Sequence, residues 1–251
     1  MADKALFEFL TRIGDTTLVL GHRVSEWCGH APALEEDIAL ANTALDLIGH
    51  TRMWLSRAGE VEGKGRTEDD LAFLREAHEF RNYLLVERPN EDFAVTITRQ
   101  FLFDAWHRLM LISLQESSDQ RVSEIAEKAS KEVAYHVERS TDLVVRLGDG
   151  TEESHRRMQH AVDILWPYTG ELFTDDETDR ELSDRGIIPL PSSLEGEWKT
   201  HVDGVLSAAT LVRPEREYAH KGGKAGVHTE HLGFLLAEMQ VTHRAHPGAT
   251  W

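Results

Sequence analysis

The stretch Lys131–Ser140 reads KEVAYHVERS. Glu132 is followed by Tyr135 at the third position and His136 at the fourth. Residues three or four apart project from one face of a helix. A helical bundle that holds two iron ions writes this motif as Glu-x-x-His. The stretch lies in a longer stripe of Ile125, Ala129, Glu132, His136, Ser140, Leu143 and Leu147, which is one face of a helix. Gly148 is expected to stop that helix.

Upstream, the same spacing recurs at Leu6, Leu10, Ile13, Thr17, Leu20, Val24 and Trp27. Gly14 is expected to kink or split this first helix. GHAP (residues 29–32) breaks the chain, and Pro32 suits the first turn of a second helix, about 33–58. A polar, Gly-rich loop, GEVEGKGR (59–66), precedes a short helix from Thr67 to about His78, with Thr67 and Asp70 as its cap. A third long helix is expected from Phe93 to about Gln115. Ser117 and Gln120 are expected to cap the fourth, and Thr151 a fifth that ends near Gly170. The acidic, proline-broken run 173–194 reads as a connection with a short helix inside. Further helices are expected at about 195–211 and 229–243. No alternating run argues for a sheet. The expected architecture is all-α: a single domain over 1–251, with a four-helix core over about 3–148 and accessory helices over about 151–251.

The chain has 251 residues, is 41% hydrophobic and carries a formal net charge of −17. The charge argues against nucleic acid and anionic membranes as partners. The start lacks a basic region followed by a long apolar run, and no uncharged stretch of membrane length occurs, so a cytoplasmic location is expected. Cys28, the only cysteine, forms no internal disulfide and is read as a small core residue.

A carboxylate-bridged di-iron bundle needs a lone Glu from each of two helices and Glu-x-x-His from each of two others. The four helices offer Glu26; Asp46 with Gly49 and His50; Asp104 with His107; and Glu132 with Tyr135 and His136. There is one acid per helix, but Gly49 has no side chain and Tyr135 is a poor neutral ligand. Two readings stay open. In one, Glu26, Asp46, Asp104, Glu132 and Tyr135 form a degenerate polar centre compensated by Arg23, Arg52, Arg108 and Lys131, with Glu132→Ala costing on the order of 3 kcal/mol. In the other, an active di-metal oxidase uses Glu26, Asp46, His50, Asp104, His107, Glu132 and His136, with the three histidines as residual ligands. Elsewhere, His228 with His231 and His243 with His246 are read as polar histidines rather than a chelate. Arg75 and Arg81 are candidates for contacts to CoA phosphates. The tryptophans at 27, 54, 106, 166 and 198 are read as core residues or as contacts between subunits.

LGHRVSEWCGHAP (20–32), DIALANTALDLIGHTR (37–52), FLFDAWH (101–107), VVRLGDGTEES (144–154) and KGGKAGVHTEHLGFLLAEMQ (221–240) are specific as a set. By them the chain resembles the PaaC family, the structural subunits of multicomponent phenylacetyl-CoA epoxidases, over nearly its whole length. The resemblance implies a ferritin-like fold and a non-catalytic role, with no catalytic residue, metal or cofactor held by this chain. It implies a related PaaA-like partner carrying the di-iron centre, further small subunits, and a reductase with FAD and iron–sulfur groups that uses NADPH. It implies aerobic phenylacetate catabolism as the setting. His50 departs from the family, where Gln is expected after LDLIG. Two like bundles can pack side by side, so this chain is expected to cover the long helices of the active partner and hold its ligands still; a homodimer is expected when the chain is isolated. A helical interaction protein unrelated to oxygenases is the third reading.

Overall fold

The structure is a computed structural model that describes residues 3–215 and 218–249. Among the described residues every regular element is helical. The α-helices are α1 (Lys4–Ser25), α2 (Leu34–Glu62), α3 (Glu68–Phe73), α4 (Phe93–Leu114), α5 (Gln120–Gly148), α6 (Glu152–Leu165), α7 (Glu177–Asp184), α8 (Glu195–Ala208) and α9 (Glu230–Ala245). Short 3₁₀ turns link them, among them Ala77–Glu79 and Leu84–Glu87. Contacts divide the chain into two compact units, Met1–Pro89 with Gly222–Trp251, and Asn90–Lys221.

The first unit is built on α1 and α2, which run antiparallel. Gly14 lies against Trp54 and Leu55, the Thr17 and Thr51 hydroxyls meet at 2.8 Å, and Gly21 lies against Leu47 and Ile48. Each step forward along α1 meets an equal step back along α2. Gly14 neither kinks nor splits α1, which is one helix of 22 residues. The residue is a seat: a Cβ there would fall 2.6 Å from Leu55 Cδ2. Asp3 caps α1 by accepting from the Leu6 N–H. Gly63 ends α2 in the left-handed conformation, four residues beyond the expected end. Thr67 and Asp70 form the expected reciprocal cap of α3. That helix stops at Phe73 rather than near His78, because Arg75 turns inward and its Nε donates to the Leu71 carbonyl.

The second unit is built on α4 and α5, also antiparallel. Gln115 Nε2 donates to Ser130 Oγ at 2.8 Å near one end, and Ser140 Oγ to Asp104 Oδ2 at 3.2 Å further along. Asp119, not Ser117, caps α5; Ser117 Oγ instead accepts from the Asp119 N–H. Thr151 caps α6 as expected, and α7 is the short helix inside the acidic connection. The buried Trp198 of α8 donates from Nε1 to the Leu102 carbonyl of α4. Its ring meets Trp166 at 5.6 Å and Phe173 at 5.1 Å. Burying side chains of this size contributes about 1.5–3 kcal/mol each. Among the described residues no helix is long and apolar enough to cross a membrane.

Candidate functional site

Helix α4 is buried on every side from Ala94 to His107. Polar side chains there must find partners inside the protein. Gln100 sits one turn before Asp104 and donates from Nε2 to Asp104 Oδ1 at 2.7 Å. Ser140 of α5 donates to the other carboxyl oxygen. His136, one turn before Ser140, is buried and brings its charge to bear on the same group. Burial nevertheless dominates and pushes the Asp104 carboxyl up to about 7, against the pull of His136, Gln100, Ser140 and Arg139.

The raised value couples folding to pH. Between the ordinary Asp range and pH 7 the unfolded chain holds Asp104 ionised while the folded chain keeps it protonated, so stability falls as pH rises through that window. Asp104→Asn is expected to abolish that slope and to stabilise the protein above pH 7 by on the order of 3 kcal/mol. The new amide can be met by the Gln100 carboxamide turned over, since its Oε1 has no hydrogen-bond partner. Urea titrations from about pH 4 to 8 check it; an unchanged pH slope in the variant contradicts it.

The remaining candidates are dispersed. Glu26 lies just beyond α1, exposed, with Arg23 at 2.8 Å. Asp46 is half-buried, Gly49 is exposed, and His50 is fully buried. His107 packs its ring on Phe103 at 4.9 Å. Glu132 is half-buried, so Glu132→Ala falls below the cost expected for a fully buried pair. Tyr135 is 54% exposed, because the buried stripe of α5 runs through Val133, His136 and Val137. The structure thus gathers Asp104, His136, Gln100 and Ser140. Among the described residues no three His, Cys, Asp or Glu side chains form a group that could hold a metal ion.

Of the expected counter-charges, Arg23 meets Glu26 and the others go elsewhere. Arg23 also donates to the carbonyls of Glu87 and His231. Arg52 and Lys131 pair at the surface with Glu68 and Glu127, and Arg108 is exposed. Arg75 is no surface contact for CoA. It is 4% exposed and grips the fully buried Asp15 with both terminal nitrogens. Arg81 pairs with Glu8 at 2.7 Å and donates to the carbonyls of His78 and Phe80. His228 uses both ring nitrogens, on Glu87 and on the Phe80 carbonyl; His243 stacks on Phe73, and His246 is exposed past the end of α9. Cys28 is exposed rather than in the core, since the helical run ends at Ser25.

Sequence reasoning missed two fully buried acids, Asp15 and Glu87. For Asp15 a signal existed. It sits between Ile13 and Leu18 in the middle of a long helix with a regular apolar stripe, where a charge that becomes buried needs a partner. Glu87, within VERPNED, reads as an ordinary turn residue.

Fold and interior together define an all-α, ferritin-like protein built on long antiparallel helix pairs. A sequence model of the family described as phenylacetic acid catabolic protein matches residues 1–251. The chain is 48% identical over 246 residues to one of the subunits of the 1,2-phenylacetyl-CoA epoxidase of Escherichia coli (strain K12), covering 98% of this chain and 99% of that one. The chain belongs to the phenylacetic acid catabolic protein family.

Proposed function

We propose that this chain is the non-catalytic structural subunit of a multicomponent oxygenase that epoxidises the ring of phenylacetyl-CoA in aerobic phenylacetate catabolism. Its relative's designation as part of an epoxidase supports the assembly. The observation that carries the non-catalytic role is the state of the ligand positions. A di-iron centre takes its acids and imidazoles from four helices at fixed spacing. The residues present do not fit it. Glu26 is exposed beyond its helix, Gly49 offers no donor atom, Tyr135 is exposed, and both oxygens of Asp104 accept hydrogen bonds from Gln100 and Ser140. No step of oxygen chemistry is assigned to these side chains.

In this reading iron belongs to a related catalytic partner, and NADPH, FAD and iron–sulfur chemistry to a reductase, all in the cytoplasm. The chain's contribution is mechanical. A rigid helical body packed on the catalytic partner holds that partner's ligand-bearing helices still. Two measurements test it. After reconstitution with Fe(II), the isolated chain is expected to retain well under one iron per chain and to show no oxygen-dependent turnover. Co-expression with the di-iron partner is expected to yield a stable complex, with epoxidation requiring both chains. Two irons per isolated chain with turnover would instead make it a di-metal oxidase in its own right. Activity independent of this chain would remove it from the oxygenase.

A further inference from the structure

We infer that the second unit carries a binding site for a short carboxylate with an apolar body, in the hollow between α4, α5 and α8. The hollow measures about 160 Å³. That is room for roughly five waters at their liquid volume. Ala105, Arg108, Leu109 and Ile112 line it from one face of α4, at three-and-four spacing. Val137 of α5 lines it too, as do Glu197 and His201, one turn apart on α8. Ala105 and Val137 are buried, so the depth of the hollow is aliphatic. Arg108, Glu197 and His201 are exposed and stand at its mouth.

Arg108 identifies the charge of the occupant. Among the described residues it is the one arginine that neither donates a hydrogen bond nor pairs with an acid. The chain has 44 acids against 27 Lys and Arg, so acids are not scarce. On α8 itself Lys199 pairs with Glu195 at 2.8 Å. Glu197, at the same mouth as Arg108, makes no ion pair with it. The guanidinium is therefore left open where it borders a hollow. Its planar fork matches a carboxylate, which it can take with two parallel hydrogen bonds.

His201 supplies a second donor. Its ring rests against Phe101 at 5.9 Å. Burial and the neighbouring Arg108 charge hold the imidazole below the ordinary histidine range. An anion seated between the two side chains offsets that repulsion. Glu197 narrows the choice, since its charge at the mouth disfavours a ligand with two negative charges. A phosphate is polar on every side and leaves the aliphatic depth unused. A short aliphatic or aryl acid satisfies both ends: its oxygens meet Arg108 and His201, and its hydrocarbon covers Ala105, Leu109 and Val137. Such a site stands whether or not the chain serves an oxygenase.

Titration of the full chain with phenylacetate at about pH 7, followed by the imidazole NMR signals of its histidines, tests it. The signal that is missing in His201→Gln is expected to shift and to saturate with a Kd on the order of 1 mM. The neutral phenylacetamide is expected to leave that signal in place. Inorganic phosphate is expected to bind at least about tenfold more weakly than phenylacetate. Arg108→Gln is expected to keep the wild-type melting temperature, since Arg108 has no partner to lose among the described residues. It is expected to weaken phenylacetate binding at least about tenfold. Arg108→Lys keeps the charge without the fork and is expected to fall between the two. No shift of the His201 signal at about 20 mM phenylacetate overturns the proposal, as does unchanged affinity in Arg108→Gln. Phosphate binding as tightly as phenylacetate also overturns it, leaving a plain anion site. So does equal binding of phenylacetamide, which would leave an apolar hollow without a role for Arg108.

Discussion

Asp15→Ala is expected to lower the unfolding free energy by roughly 3–5 kcal/mol, the largest loss from any single side chain in the first unit. Asp15 is fully buried in the middle of α1. Its carboxylate accepts from both terminal nitrogens of Arg75, and Oδ2 also accepts from the Arg81 N–H at 2.9 Å. Arg75 in turn donates from Nη1 to the Glu79 carbonyl at 3.1 Å and lies over the Phe80 ring at 4.3 Å. Removing the acid leaves a guanidinium without its counter-charge in a dry interior. The loss comes from that stranded cation more than from the pair's own attraction, since desolvating two ions offsets much of the Coulomb gain. A control separates the two effects. Asp15→Leu combined with Arg75→Met, which strands no charge, is expected to recover most of the loss. Urea unfolding of the singles and the double checks it, and a double as unstable as Asp15→Ala would show that the pair itself supplies the stability.

Glu87→Ala is expected to cost on the order of 3 kcal/mol and to free the segment from Gly222 to Thr229 from the rest of the first unit. The fully buried Glu87 carboxylate accepts from Asn82 Nδ2 at 2.9 Å, His228 Nδ1 at 2.6 Å, and the Thr229 N–H and hydroxyl at 2.8 and 2.6 Å. Gly223 packs directly on the Asn82 carbonyl and Gly226 on that of His78, approaches a Cβ would block. The acid therefore fastens the chain leading into α9. Burial by itself would lower the His228 pKa, but the hydrogen bond and charge of Glu87 outweigh it and hold the value above the ordinary one. The contribution of this pair is complete below the ordinary histidine range and is lost as pH rises through the raised value. Wild type is thus expected to lose stability on alkalinisation beyond neutral pH. Glu87→Gln is expected to be less stable at pH 6 and to lack that slope. Hydrogen exchange should report faster opening at residues 222–231 in Glu87→Ala, with α4 and α5 unchanged. Uniform destabilisation without local opening would count against the fastening role.

Local signals placed the elements well. The Thr67–Asp70 and Thr151 caps, the stop at Gly148 and the long helices behind their three-and-four spacing all stand where the sequence puts them. Such signals act within one helical turn, so no distant residue is needed to read them. Misreadings arose where a local cue met a tertiary neighbour. Gly14 reads as a break and is a seat for Leu55; Ser117 reads as a cap but is displaced by Asp119, two residues on. The candidate site was legible only as spacing. Spacing says that Glu132, Tyr135 and His136 share one side of α5. It does not say that the boundary of burial passes between Tyr135 and His136.

From the sequence alone came the helical class and the order of the long helices. Those properties depend on residues within a turn of one another. Tertiary structure alone decided which acids are buried and what holds them. Asp15 finds Arg75 across 60 positions and Glu87 finds His228 across 141. Asp104 is satisfied by an amide and a hydroxyl rather than by an arginine. A buried charge takes whichever donor the fold delivers to it, and chain separation carries no record of that meeting.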